Sequence, residues 1–371
     1  MNEIEILRKK TELLVKGVNV SHDLLKHLDF VRKGGAGPLN GKYFLLDADK
    51  TLANVPLWNE KSSHSDLYLK YSGGSMFEVF DEKNKLFDRI ELIESPAFYE
   101  LETSDGIPMK KIALMHGIDC LASTIYQKCK HWSCGKACKF CGIELSLQND
   151  KTILEKNGRQ LSEVISAAKM EERCTHLTLT SGTVQSKGKG AEKYIRILEN
   201  LNEKFPNLPI HVQIEPVNDF HYLSSLKEAG ADTIGIHIEL LNKKLRKQIT
   251  PGKSNISWET FKKNWKFALN TFGPNQVESY VLYGFRKDPA KFIQDVERII
   301  SLGVIPYITP VRKTGNNDLP LYPITINDMV FVYRMVAIMM KNYGVNPLAH
   351  KAGCVRCGGC STINEAYKLI V

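Results

Sequence analysis

The chain has 371 residues, 43% hydrophobic and 25% charged, with 26 Gly and 15 Pro. That balance fits a globular protein with one large core or two modest ones and excludes disordered and fibrous classes. No apolar run approaches the roughly 20 residues of a membrane span, and MNEIEILRKKTELLVKG lacks the apolar stretch of a signal peptide. The expectation is a cytoplasmic, enzyme-sized protein. Fifty Lys+Arg against 41 Asp+Glu leave a formal charge of +9. A lysine-rich solvated surface accounts for it, as does attraction for an acidic carrier protein or an anionic cofactor. No basic run interleaved with aromatics marks a nucleic-acid partner.

In chain order, residues 1 to about 30 read as helix, with Ile4, Ile6, Leu7, Leu13, Leu14 and Val15 followed by Leu24, Leu25 and Leu28. Glycine-rich Arg32–Gly41 ends that pattern. Short alternating strands follow in KYFLLD, SMFEVFDE and KLFDRIELI, with a hairpin loop at Asp81–Lys85. Residues 1–110 are therefore expected as an α+β region. From Lys111 the texture becomes strand–helix alternation. Strands are expected in CLASTIYQ, HLTLTSG, IHVQIEP, DTIGIHI, VESYVLYGF and VIPYITPV. Helices are expected in LSEVISAAKMEER, AEKYIRILENLNEKF, FHYLSSLKEAG and AKFIQDVERIISLG. The fold class is α/β, and residues 111–325 form a partial (β/α)6 barrel of TIM type. Residues 326–371 make a long helix and a glycine-rich cysteine tail. There is no internal repeat beyond the β/α period.

Nine cysteines, an odd number with no secretory signal, argue against a disulfide framework. Cys134, Cys138 and Cys141 sit in CGKACKFC; Cys354, Cys357 and Cys360 sit in CVRCGGC; Cys120, Cys129 and Cys174 are single. A zinc site wants a fourth protein ligand and usually paired CxxC arms. Three thiolates on one loop suit a [4Fe–4S] cube with one iron left open. The CxxCxxC tail fits either zinc with a remote fourth ligand or a second iron–sulfur cluster, which would make it an iron–sulfur tail. Its fourth ligand is open among Ser361, Arg356, Cys120 and Cys129.

The spacing CxxxCxxC, with Phe140 before its last cysteine and a predicted strand before the loop, resembles the radical S-adenosylmethionine (SAM) enzymes. The resemblance implies that Cys134, Cys138 and Cys141 hold a [4Fe–4S] cluster whose open iron takes the amino and carboxylate groups of SAM. One electron then cleaves SAM to a 5′-deoxyadenosyl radical that removes hydrogen from a C–H bond. Thr180–Thr183 resembles the family's glycine motif, so Ser181, Gly182 and Thr183 are expected at the SAM amino group. Gly182 lets a backbone carbonyl come close. Glu215, in QIEP, is a candidate for the ribose hydroxyls or the amino group. His237 and Glu239 alternate with Gly235 at the end of the fourth strand, where β/α barrels build their sites. Helix capping or solvation would explain each of these residues taken singly.

Ile236–Asn255 is similar to a lipoyl synthase pattern of a strand ending in Glu, a short basic helix, then Arg and Pro-Gly. Arg246 and Pro251-Gly252-Lys253 stand in those places. Arg246 is expected to pair with the SAM carboxylate, while Lys243, Lys244 and Lys247 read equally well as a solvated helix. Tyr280 and Tyr283 either touch a ligand or fill the barrel, His131 and Trp132 either shield the cluster or pack, and Cys174 reads as core. The glycines at 34, 35 and 37 lack the context of a phosphate loop.

Several longer stretches (RKGGAGP, DGIPMKKIALMHGIDCLAST, KACKFCGIELSL, PGK and AGCVRCGGCS) resemble biotin-synthase-like radical SAM proteins encoded beside nitrilase genes. They also resemble subunits of two-component lipoyl synthases. Unlike the standard lipoyl synthase, this chain has no cysteine triplet before the radical motif. The resemblance implies two [4Fe–4S] clusters, SAM, and a low-potential donor such as ferredoxin or flavodoxin. It further implies sulfur insertion into an octanoyl chain on a carrier protein, with a second radical SAM subunit in the two-component case. Lipoyl synthases use a serine on the auxiliary cluster and biotin synthases an arginine, which singles out Ser361 and Arg356. A rival reading is rearrangement or oxidation of a small molecule in nitrile-related metabolism, the second cluster being kept intact. A non-catalytic redox sensor is the third, and it would not cleave SAM.

Overall fold

Asn2 opens the first helix, α1 (Glu3–Lys16), its side chain accepting a hydrogen bond from Glu5 N–H. Here and below the structure is a computed structural model that describes residues 2–28, 41–46, 50–59, 65–312 and 319–371. The helix expected to reach residue 30 stops at Lys16. Gly17 adopts φ +65°, and a Cβ there would lie 2.4 Å from the Pro56 carbonyl oxygen, so only glycine fits. Strand β1 (Val18–Val20) and a 3₁₀ turn (His22–His27) follow. The later leucines belong to that turn, with Leu28 buried and Leu25 exposed. RKGGAGP and its glycines lie outside the described residues.

β1 joins β2 (Gly41–Leu46), β3 (Leu52–Asn59), β4 (Leu67–Gly73), β5 (Met76–Asp81) and β6 (Leu86–Leu92) in a closed barrel ordered β1-β3-β2-β6-β5-β4. Alternate residues fill it, among them Phe44, Val55, Leu69, Phe77, Val79 and Ile90. Asp81 fixes the β5–β6 hairpin by accepting from Lys83 N–H and Lys85 N–H. The sequence pattern missed β3 and β4. Pro56 interrupts the first, and the exposed end of β4 breaks alternation in the second.

The 3₁₀ turn Ala97–Glu100 and the short helix α2 (Met109–Ile112) lead into a seven-stranded sheet. Its first strand, β7 (Leu114–His116), is antiparallel to β8 (Cys120–Tyr126). The rest run parallel in chain order: β9 (His176–Ser181), β10 (Ile210–Gln213), β11 (Thr233–Gly235), β12 (Val277–Tyr283) and β13 (Ile305–Pro310). All six expected parallel strands are present. The sheet remains open between β7 and β13.

Short helices α3 (Lys130–Ser133) and α4 (Leu145–Gln148) follow β8, and then come α5 (Gly158–Met170), α6 (Ala191–Lys204) and α7 (His221–Glu228). The later crossovers carry α8 (Lys243–Ile249), α9 (Trp258–Phe272) and α10 (Pro289–Ile300). Side-chain caps start several of them, including the reciprocal Asn157–Gln160 box of α5 and Asp288 before Pro289 in α10. The pattern had not marked α9, whose Trp265 is fully buried and donates from Nε1 to Ile236 O at 2.9 Å.

α11 (Ile326–Asn342) packs Met329, Val332, Tyr333, Val336 and Met340 on the core. The tail, with α12 (Gly353–Cys357) and α13 (Ile363–Lys368), folds beneath the N-terminal ends of the strands. Gly353 N–H donates to His176 Nδ1 at 3.1 Å, and Ser361 Oγ donates to Ile308 O at 2.6 Å. Lys10 of α1 reaches under the same tail to Gly358 O at 2.9 Å and Glu365 at 2.8 Å. Among the described residues no helix is long and apolar enough to cross a membrane.

Replacing Trp265 by Ala removes a buried aromatic and orphans the Ile236 carbonyl. The expected cost is about 3–5 kcal/mol, read as a lowered urea midpoint with an unchanged slope.

Candidate functional site

A cavity of about 390 Å³ runs through the open barrel, and both cysteine triplets reach it. Its upper end is built on the C-terminal ends of β8 to β11. After β8 the chain turns through Cys129 into α3, and the loop behind α3 carries Cys134, Cys138 and Cys141. Lys130 N–H donates to Thr183 O at 2.9 Å and Gly182 N–H to Tyr126 O at 2.9 Å, so the loop after β9 braces the root of the loop after β8. A Cβ on Gly182 would lie 2.0 Å from Lys128 O. The carbonyl that glycine admits is the chain's own. Ser181 Oγ donates to Gly182 O, and Thr183 Oγ1 to Glu215 Oε2.

Glu215 is buried at the end of β10, with His131 Nε2 2.8 Å away and Lys189 and Lys130 at 3.7 and 4.0 Å. Burial raises its pKa, but the His131 hydrogen bond and the charges of Lys253, His131 and Lys130 outweigh this and hold it at about 2. His131, left open between shielding and packing, is thus a partner of Glu215. Glu239, four residues beyond β11, adopts φ +55°, a conformation non-glycine residues rarely hold and one often found at functional sites. Its carboxylate meets Lys253 Nζ at 2.5 Å. Burial pushes Glu239 up. Burial would lower Lys253, but Glu239, Cys138 and Glu215 keep it an ammonium. His237 lines the cavity beside Tyr280, with ring centroids 4.5 Å apart, and burial holds it neutral with a pKa of about 3.

Phe140 faces the cavity and packs with Leu240, Ile249 and Phe285. Arg246 does not line the cavity. Its Nη2 donates to Lys253 O and Ile256 O at 2.8 Å each, and its guanidinium lies over Phe261. The structure therefore places Arg246 as the brace of the Pro251–Lys253 turn, and Lys253 of that turn enters the site in its stead. Tyr283 packs on Phe292 in the core, and Cys174 is buried.

The lower end holds the second triplet. Cys354 and Cys360 face the cavity, and Cys357 Sγ lies 3.7 Å from His116 O. The N-terminal barrel supplies part of this wall. Tyr43 OH is 3.9 Å from Cys360 Sγ, and Asn54 N–H donates to Gly359 O at 2.6 Å. Gly353, at φ +84°, would put a Cβ 2.5 Å from the His211 ring. Ser361 and Arg356 were expected as fourth ligands, but both are engaged elsewhere. Ser361 bonds β13, while Arg356 points outward to Lys351 O and Thr175 Oγ1. Cys129 belongs to the upper end, leaving buried Cys120, whose Sγ lies 3.4 Å from Thr178 Oγ1, as the candidate thiol below.

Arg312, just beyond β13, was not singled out from the sequence. Its only mark there is a cation directly after a strand. Its guanidinium lines the cavity and donates to Asn54 Oδ1 at 2.8 Å and Asn54 O at 2.5 Å. Cys360, Tyr43, Tyr307 and Tyr333 surround it, all kept protonated by burial, and among the described residues no carboxylate pairs with it. A buried cation with no counter-charge is costly. Thiolates on a metal cluster would supply that charge, so the donor set fits an anionic iron–sulfur group at the second triplet.

The upper thiols fit as well, with Lys253 beside Cys138. Among the described residues no three His, Cys, Asp or Glu side chains converge as one ion would require. Cysteines that each bind a separate iron of a cube need not converge. Burial pushes all these inward thiols up, Cys141 to about 11 and Cys357 to about 12. Metal loading must therefore displace protons.

Two outcomes are expected. Glu215→Gln should lower stability at neutral pH by on the order of 3 kcal/mol. Because the native pKa is depressed, the gap to wild type should persist above pH 4.5 and close as pH falls toward 2; thermal melts at stepped pH measure this. Arg312→Met should reduce iron bound per anaerobically reconstituted chain from about eight toward about four, whereas Arg312→Lys should retain more.

Residues 133–296 match the family model described as the radical SAM superfamily. Among solved structures the chain is similar to the [FeFe]-hydrogenase maturase HydG from Carboxydothermus hydrogenoformans, at 15% identity and a TM-score of 0.47, over 66% of this chain and 54% of that one. It is similar to SuiB from Streptococcus suis at 11% identity and a TM-score of 0.46, over 63% and 49%. The cobalamin-dependent S-adenosylmethionine radical enzyme OxsB gives 11% and 0.38, over 72% and 36%. The chain thus spans about half, or less, of the length of these structures. No curated protein matches it. The matched stretch opens at the loop that carries Cys134, Cys138 and Cys141 and runs into α10.

Proposed function

We propose that the chain is a radical SAM enzyme, a sulfurtransferase of lipoyl-synthase type acting on an octanoyl chain attached to a carrier protein. The observation that carries the reading is the single cavity with Cys138 and Cys141 at one end and Cys354 and Cys360 at the other. The same cavity has apolar lining from Phe140, Ile214, Leu282 and Val311, which suits an aliphatic chain better than a polar metabolite.

Cys134, Cys138 and Cys141 hold the first [4Fe–4S] cluster, and Cys354, Cys357 and Cys360 the second. When bound with SAM, these groups supply a C–H-abstracting radical at one end of the cavity and a sulfur source at the other. The remaining work falls to the chain. Gly182 and Thr183 fix the loop that holds the first triplet, while Glu215 and the Glu239–Lys253 pair present fixed charges to a zwitterionic cofactor. His237, neutral, and Tyr280 shape the passage between the two ends.

A second reading is favoured by Arg312, whose guanidinium faces the cavity with no carboxylate partner among the described residues and would suit a small acid. The reaction would then be a rearrangement or oxidation in nitrile-related metabolism, the second cluster remaining intact.

One assay separates the readings. Anaerobically reconstituted protein is given dithionite, SAM and an octanoyl-lysine carrier peptide, with and without a second radical SAM subunit. Formation of 5′-deoxyadenosine, a sulfur-bearing peptide and loss of iron during turnover is the expected result. 5′-Deoxyadenosine with iron retained and no sulfur in any product favours the second reading. Failure to cleave SAM at all would leave the redox sensor.

A further inference from the structure

The two cavity-facing sulfurs of the second triplet each meet a side chain that can donate to them. Gln213 Nε2, at the end of β10, donates to Cys354 Sγ at 3.9 Å. Tyr43 OH, from β2 of the N-terminal barrel, lies 3.9 Å from Cys360 Sγ. Cys357 Sγ instead meets a carbonyl oxygen, His116 O, at 3.7 Å. While the thiol of Cys360 keeps its proton, either partner of its contact with Tyr43 can donate. A sulfur that binds iron has given its proton up, and then only the phenol can.

The fold holds Tyr43 in that place. A Cβ on Gly359 would lie 2.8 Å from the Tyr43 ring, so the cysteine loop can close on the phenol only through glycine. Asn54, paired with Tyr43 across β2 and β3, donates its N–H to Gly359 O at 2.6 Å and ties the barrel to the same loop. The His116 ring flanks Tyr43 with centroids 5.8 Å apart. Burial raises the phenol's pKa well above its ordinary value, so it keeps its proton.

Resting on the two-cluster sulfurtransferase reading, we propose that Tyr43 and Gln213 are positioning residues that donate hydrogen bonds to the ligand sulfurs of the second cluster and set its reduction potential. Donors aimed at ligand sulfurs favour the reduced, more negative form of an iron–sulfur group. Sulfur insertion needs that direction. The carbon radical gives one electron to the new C–S bond. The sulfide gives a second to the bond and passes one to a neighbouring iron, which is reduced by one unit. No proton moves in that step. Both donors act on the sulfurs that face the cavity, the side from which the carbon arrives.

The test uses full-length, anaerobically reconstituted protein in which Cys134→Ala/Cys138→Ala/Cys141→Ala leaves the second triplet to bind iron alone. A redox titration of this parent is followed by electron paramagnetic resonance. Tyr43→Phe, Gln213→Met and their combination, made in the parent, should keep about four irons per chain. Each single variant should move the midpoint to lower potential, and the pair should move it further than either. The parent should show coupling to a proton that exchanges in D2O, and Tyr43→Phe should weaken that coupling. Tyr68→Phe, exposed on the N-terminal barrel, should match the parent in both readouts. A midpoint unchanged by Tyr43→Phe or by Gln213→Met, with iron retained, would overturn the proposal. So would loss of iron from Tyr43→Phe, because the hydroxyl would then build the site and not tune it. A parent that binds no iron would instead sink the two-cluster reading on which the proposal rests.

Discussion

The lower half of this molecule depends on one buried ammonium. Lys10 Nζ sits almost wholly out of solvent and spans the gap between the first helix and the last, holding Gly358 O and Glu365 at once. A buried charge stripped of its partner is among the costlier defects a protein can carry. The pair therefore locks α1, the second cysteine loop and α13 into one arrangement. Around that lock the other contacts become possible: Asn54 against Gly359, Tyr43 against Cys360, and Gly353 wedged on His211. The N-terminal barrel is a wall of the deeper site.

The upper half obeys a different constraint, close backbone approach. Gly182 under Lys128 O, and Gly252 against the His131 ring and Lys136 O, let three segments crowd together where a methyl group would part them. Into that frame the chain puts opposite charges in pairs, Glu215 with His131 and Glu239 with Lys253. Such pairs are pre-set before any ligand arrives, so little reorganisation is left for binding.

Much of this was legible in the amino-acid order. The six parallel strands show as short β-rich runs at regular spacing, and the triplets show because three thiols in eight residues have few bland explanations. Strand ends also placed Gly182, Glu215, His237 and Glu239 at the cavity. Long-range closure could not be read. Nothing local to Pro56-containing β3 announces a barrel, and nothing near Arg312 says that Asn54, 258 residues earlier, will hold it. The pattern around Arg246 matches an anion-binding site, while its hydrogen bonds go to two carbonyls seven and ten residues further on. Ser361 and Arg356 likewise bond groups that their spacing does not announce. Spacing gives proximity along the chain but not the direction a side chain takes.

The tail's position has a consequence for how the protein comes into being. The backbone hydrogen bonds that brace the loop of Cys134, Cys138 and Cys141 come from residues between 126 and 253, and a ribosome delivers them more than a hundred residues before Gly358. The deeper pocket needs Lys10 from the beginning and Gly358 from the end. Synthesis runs from N-terminus to C-terminus, so the barrel's lower mouth stays open until Gly358 has been made. The two triplets thus become fillable in a fixed order. The second is reached through a gap that its own folding then closes.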